Sequence, residues 1–132
     1  MAKYAITNLK ADVQDMAPQF DLSPNMEARF ARSELEADNF AVSYLRVAPA
    51  FRIPFGHTHR EQEELYVVLS GGGRLKLDDE VLEVGQWDAI RIPSETMRDF
   101  EGGPEGAELL LFGAPRGESN DAEMTPGWWS ES

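Results

Sequence analysis

Gly56-His57-Thr58-His59-Arg60-Glu61-Gln62-Glu63-Glu64-Leu65-Tyr66-Val67-Val68-Leu69-Ser70-Gly71-Gly72-Gly73 is the stretch from which the rest of the chain follows. It carries both histidines of the protein, one residue apart. Side chains two apart on a strand stand on the same face at a spacing of about 7 Å, so the two imidazoles can converge on one ion. A tight reversal over Arg60 to Glu63 would bring the next strand back alongside. Its residues fall into two sets, Glu64, Tyr66 and Val68 on one face and Leu65, Val67 and Leu69 on the other. Both faces are mostly apolar, so burial on both sides is expected. The opposite phase would place Glu63 with the aliphatic face, where an unpaired carboxylate is costly, and Glu64 is therefore taken as the inward one.

Two neutral imidazoles and one carboxylate suit a borderline divalent metal, and only three protein ligands leave positions open for water or substrate. The plain alternative is a pair of hydrogen-bonded histidines on a half-buried strand. Against it stands the placing of every histidine of the chain beside a carboxylate-led strand that ends in three glycines.

The chain has 132 residues, enough for one domain with its own core. Its formal charge of −12, from 24 acidic against 12 basic residues, argues against nucleic acid and anionic membrane surfaces as partners. No apolar run approaches the roughly 20 residues of a membrane span, and Met1 to Val13 lacks the apolar core of a signal peptide. A cytoplasmic address is expected. With no cysteine, any metal must be held by nitrogen and oxygen.

Residues 1–25 mix apolar groups with Pro18 and Pro24 and are expected to form an arm laid across the domain, burying Phe20 and Leu22, with Asp12 to Ala17 able to make a helical turn. Met26 to Arg32 alternates as an edge strand, Ser33 to Asp38 is a helical turn or a charged loop, and Phe40 to Val47 is a strand ended by Pro49. After an expected turn at Gly71 to Gly73, Arg74 to Leu77 and Val81 to Val84 form a hairpin around Asp78-Asp79-Glu80. Asp88 to Ile92, Thr96 to Phe100 and Glu108 to Phe112 are further strands, with Gly102 to Gly106 as a loop. Such a run of short strands with little helix points to an all-β sandwich or barrel with antiparallel pairing. The tail from Gly113 to Ser132 is acidic and loop-like, except that Trp128 and Trp129 are expected to dock on this subunit or a partner.

These residues resemble a single-domain cupin. The first cupin motif, His-x-His, then Glu, then Gly, is matched by His57, His59, Glu64 and Gly71, and the second is similar to Trp87 through Arg98; the likeness covers about residues 40–113. Glycines of the family pattern fall at Phe51, Trp87 and Glu95, and its fourth metal ligand, a histidine, falls at Arg98. Arginine offers no lone pair and cannot replace that ligand. The resemblance implies a jelly-roll β-barrel, a homodimer, and a divalent ion (iron, manganese, nickel, copper or zinc) held by His57, His59 and Glu64. Arg98 would then act as an anion clamp and Tyr66 as an acid or base, in an oxygenase or isomerase of a small oxygenated or carboxylate substrate. Thr96, Phe100, Val68 and Tyr44 or its neighbour would line the pocket. The alternative is a metal-free cupin in which Arg98 pairs with Glu64 and the barrel binds a small carboxylate or sugar without turnover.

Overall fold

The computed structural model of the chain describes residues 3–114 and 121–130. Of the expected arm and tail, residues 1–2, 115–120 and 131–132 lie outside the described residues. Among the described residues eight strands run in the order β1 (Met26–Phe30), β2 (Ala41–Val47), β3 (Phe55–His59), β4 (Glu64–Leu77), β5 (Glu80–Gly85), β6 (Ala89–Ile92), β7 (Arg98–Gly113) and β8 (Ala122–Pro126), all paired antiparallel. The 3-10 helix Ala17–Phe20 precedes them, starting where the expected helical turn was to end.

The two long strands, β4 and β7, organise the barrel. The first half of β4 pairs with the second half of β7, from Glu64 opposite Gly113 to Gly71 opposite Ala107. The second half pairs with the first, from Gly73 opposite Gly102 to Leu77 opposite Arg98. The register jumps between these halves, and both strands turn a corner there. One sheet is thus β1, β2, the end of β7, the start of β4, and β6. The other is β5, the end of β4, the start of β7, β3 and β8. Two stacked antiparallel sheets sharing their central strands form the jelly roll.

Gly71 to Gly73 is therefore not a turn between strands, as expected, but a bend inside β4. The demand for glycine is the same in both cases: Gly71 has a φ of +69°, and a Cβ on Gly73 would strike the Glu101 carbonyl oxygen. The expected loop at Gly102 to Gly106 is the matching bend of β7, its residues 103–106 lying outside the pairing with β4. The tail also differs from expectation, because β8 forms in it and pairs along the whole of β3, from Phe55 opposite Pro126 to His59 opposite Ala122. Thr96 lies in a turn before β7 rather than in a strand, and residues 32–36 form turns.

The core between the sheets contains Leu45, Val47, Tyr66, Val68, Leu75, Ile92, Phe100 and Leu109. Each such fully buried aliphatic or aromatic side chain stabilises the fold by about 1.5–3 kcal/mol relative to exposure. The outer faces of the two sheets are covered by the two ends of the chain. The arm packs Val13 and Leu9 against Val42, Leu110 and Phe112, with Ala31 and Leu35, on the first sheet. Leu22 is buried, but Phe20 is 58% exposed, against the expectation that both would be covered. On the second sheet Trp129 is buried against Arg52, whose guanidinium lies 4.1 Å from its ring, and Lys76 lies 4.6 Å from Trp128. The tryptophans dock on this subunit.

Asp99 shares that face with Arg52, Lys76 and Glu101. Burial raises its carboxyl to about 7, although the Phe100 N–H donates to it, and its Oδ2 has no hydrogen-bond partner among the described residues.

Gly71→Ala is expected to cost about 2 kcal/mol or more, since it combines a left-handed φ with a clash, whereas Gly85→Ala, with open space at its Cβ, should stay within about 0.5 kcal/mol. Urea unfolding of both variants checks this. Asp99 binds its proton more tightly folded than unfolded, so stability falls as pH rises from about 4 towards 7. Asp99→Asn should remove that fall and gain on the order of 2 kcal/mol at pH 8 but not at pH 4, as read from thermal melts across pH.

Candidate metal centre

The mouth of the barrel lies where the two sheets diverge, and side chains from both converge there. Glu64 enters from the start of β4 in the first sheet, while His57 and His59 on β3 and Arg98 on β7 enter from the second. The alternation that turns both histidines inward turns Gly56 outward, where its missing side chain seats Trp128, with Trp128 Cε3 2.6 Å from the position of a Cβ. His57 lies opposite Arg98 in the ladder.

Glu64 Oε1 is the centre of the cluster. It lies 2.7 Å from Arg98 Nη1, 3.1 Å from His59 Nε2 and 3.6 Å from His57 Nε2. The two imidazoles stand edge to face, with ring centroids 5.1 Å apart. One ligand atom from each of His57, His59 and Glu64 falls within 4.8 Å of the others. The phase expected for β4 holds, with Glu64 only 8% exposed and Glu63 in a solvent-exposed pair with Arg91.

Burial pushes the Glu64 carboxyl up, but the His57 and His59 contacts outweigh it and hold the group well below the usual carboxylate range, with the Arg98 guanidinium acting in the same direction. For His59, burial lowers the ring's pKa, and Glu64 together with Asp121 reverses this to a net rise. Among the described residues His59 Nε2 nonetheless has no hydrogen-bond partner: it is buried close to Glu64 Oε1 without hydrogen-bond geometry. A buried nitrogen facing a carboxylate, with a second imidazole nitrogen beside it, is a donor set that could hold a divalent ion. These residues fit such an ion.

Arg98 stands beside Glu64, at the position where the family pattern has a histidine. It is 1% exposed, and its fork is already committed. Nη1 donates to Glu64, Nη2 to the carbonyls of Pro93, Ser94 and Thr96, and Nε to Thr96 again. Arg98 thus fixes the turn at residues 93–96 beneath the mouth, and the fork that was expected to grip an anion is largely engaged by the protein. Tyr66 is buried near the Glu64 and Arg98 charges, and burial, then Glu64, raises its hydroxyl far above the ordinary value. A phenol so raised keeps its proton, which suits hydrogen-bond donation and neither the acid nor the base expected from the sequence. Val68 and Phe100 line the interior, Thr96 contributes its carbonyl, and of Tyr44 and its neighbour it is Leu45 that faces in. Tyr44 turns outward to donate to Glu108.

One member of the cluster escaped the sequence. Asp121, just before β8, places Oδ1 2.8 Å from His59 Nδ1, while Oδ2 accepts from the backbone N–H groups of Glu61 at 2.8 Å and Gln62 at 2.9 Å. Burial raises its carboxyl, but these contacts outweigh it and hold it at about 2. Its only sequence signal is a weak alternation over Ala122 to Thr125, which an acidic loop shares. A groove of about 600 Å³ runs along the glycine corner, lined by Arg74, Glu83, Glu101 and Glu105, and includes none of the cluster.

With barrel and cluster in place, the likeness to known proteins is direct. The cupin-domain family model matches residues 43–112, and the chain belongs to the cupin family. An uncharacterised protein of Methanocaldococcus jannaschii is 35% identical over 69 residues, 52% of this chain and 55% of that one, so the match spans about half of that relative. A cupin protein from Bacteroides fragilis superposes with a TM-score of 0.71 at 21% identity over 91% of both chains. Oxalate decarboxylase from Bacillus subtilis gives 0.71 at 23% identity, covering 90% of this chain and 32% of that one.

Breaking the buried Glu64–Arg98 pair from one side, by Glu64→Gln or Arg98→Met, should cost about 3 kcal/mol or more, because it strands the other charge. Glu64 binds its proton more weakly folded than unfolded, so its contribution is present above the ordinary 4.5 and lost as pH falls below it. Glu64→Gln should therefore lose stability at pH 7 and show a flatter acid limb, as measured by urea unfolding between pH 7 and pH 3.

Proposed function

We propose that the mouth of the barrel holds a divalent metal ion on His57, His59 and Glu64 and turns over a small oxygenated or carboxylate substrate, as an oxygenase or isomerase. The observation that carries this is His59 Nε2, buried and without a hydrogen bond among the described residues, facing the carboxylate that His57 Nε2 also faces. A bound divalent ion supplies Lewis-acid polarisation of a substrate oxygen. The chain's own residues supply the rest. Arg98 holds Glu64 ionised and keeps the 93–96 turn closed beneath the site, and Tyr66 presents a hydroxyl that stays protonated. With the ion in place the mouth is net positive, which favours an anionic substrate through its field rather than through a free guanidinium fork.

Oxalate decarboxylase shares the fold and, by its name, acts on a small dicarboxylate. At 23% identity that likeness lends the fold and leaves the substrate to be determined by experiment. A second reading, a metal-free barrel that binds a small ligand without turnover, is favoured by the 2.7 Å contact between Arg98 and Glu64, which neutralises the carboxylate with no ion present.

Elemental mass spectrometry of untagged protein separates the two. Near-stoichiometric iron, manganese, nickel, copper or zinc in the wild type, lost in the folded His57→Ala, His59→Ala double variant, is the expected result. Wild-type protein that carries no metal and takes up none of these ions when supplied would overturn the metal reading.

A further inference from the structure

We infer that Asp121 is the positioning residue that holds the neutral His59 ring in the Nδ1–H tautomer, with its lone pair on the metal-facing Nε2. The inference deepens the metal reading and rests on it. An ionised carboxylate oxygen only accepts hydrogen bonds, and Asp121 Oδ1 lies 2.8 Å from His59 Nδ1. The neutral ring therefore carries its hydrogen on Nδ1, and the lone pair sits on Nε2, the buried nitrogen that faces Glu64. A ligand histidine needs that arrangement, and a carboxylate on the far nitrogen both sets the tautomer and makes the near nitrogen more basic.

The orientation of Asp121 is itself fixed. Its Oδ2 accepts from two backbone N–H groups, those of Glu61 and Gln62, at 2.8 and 2.9 Å, and the carbonyl of Asp121 accepts from Arg60 N–H at 3.2 Å. These donors belong to the reversal between β3 and β4, which joins the His pair to Glu64. The carboxylate thus ties the start of the C-terminal strand to both halves of the metal cluster.

This geometry makes Asp121→Asn a sharp variant. The two backbone N–H groups can only donate, so they claim the amide oxygen and leave the amide nitrogen facing His59 Nδ1. An NH₂ group there donates, Nδ1 must accept, and the ring hydrogen moves to Nε2, the nitrogen the ion needs. Size and backbone ties are unchanged. A residue that merely anchored the strand would tolerate this substitution without altering the ring.

The test is long-range ¹H–¹⁵N correlation spectroscopy of the histidine rings in metal-free full-length protein at alkaline pH, with Zn²⁺ affinity measured by chelator competition. The wild type is expected to show His59 protonated on Nδ1 and Asp121→Asn to show it on Nε2, with Zn²⁺ binding about 10- to 100-fold weaker at an unchanged melting temperature. Asp121→Ala, which leaves no partner, should show a mixture of tautomers and an intermediate affinity. An Asp121→Asn ring still protonated on Nδ1, or an affinity within twofold of a zinc-binding wild type, would overturn the inference. Should the wild type bind no zinc or other divalent ion, the metal reading falls by itself, and the tautomer comparison alone decides the role of Asp121.

Discussion

A carboxylate buried at the mouth of an apolar barrel has to be neutralised, and most of what is unusual here follows from how Glu64 is satisfied. Its Oε1 draws Arg98 from the opposite sheet to 2.7 Å, and both histidines turn towards the same oxygen. The pair fastens the two sheets together where they diverge, at the point where hydrophobic contact alone holds them least. Arg98, itself 1% exposed, in turn needs its remaining donors satisfied, and the carbonyls of the 93–96 turn do this. One ionised side chain therefore fixes the strands, the turn and the direction of the imidazoles.

The second constraint is that a two-layer β structure has two outer faces to cover. The chain uses its ends for both: the arm closes one sheet with aliphatic contacts, and the tail closes the other with tryptophans stacked under Arg52 and Lys76. The tail has a second task, because it is held at one end by the tryptophans and at the other by Asp121 on His59. The geometry of the cluster is thereby joined to the docking of a segment that otherwise looks like a dispensable acidic terminus.

Much of this was legible in the sequence, and the parts that were not share a cause. The phase of β4 was readable because one misplaced charge on an aliphatic face costs more than any rotamer choice, so alternation selects Glu64 over Glu63. The corners were not. Gly71 to Gly73 and Gly102 to Gly106 show the same glycine signal whether a strand reverses or bends, since either needs left-handed backbone or close approach. Only the long-range register, Gly73 opposite Gly102, tells a bend from a turn. β8 was hidden because an edge strand with Glu123 and Thr125 facing water carries little apolar alternation. Asp121 was hidden because its role comes from an imidazole 62 positions earlier in the chain. Phe20 shows the converse error, an aromatic residue that stays exposed despite its apolar character.

The arginine at the corner where the family pattern has a histidine changes the character of the proposed site rather than abolishing it. A histidine adds a donor; Arg98 adds a permanent positive charge in a place shielded from water. That charge repels a cation and attracts an anion by one and the same field. In the proposed site the ion is therefore held by three ligands against a standing repulsion, and an anionic substrate arriving beside it relieves that repulsion. Linkage requires the effect to be mutual: whatever the anion gains from the ion, the ion gains from the anion. A site built this way binds its metal less tightly on its own than a four-ligand site would, and holds it most firmly when the substrate is present.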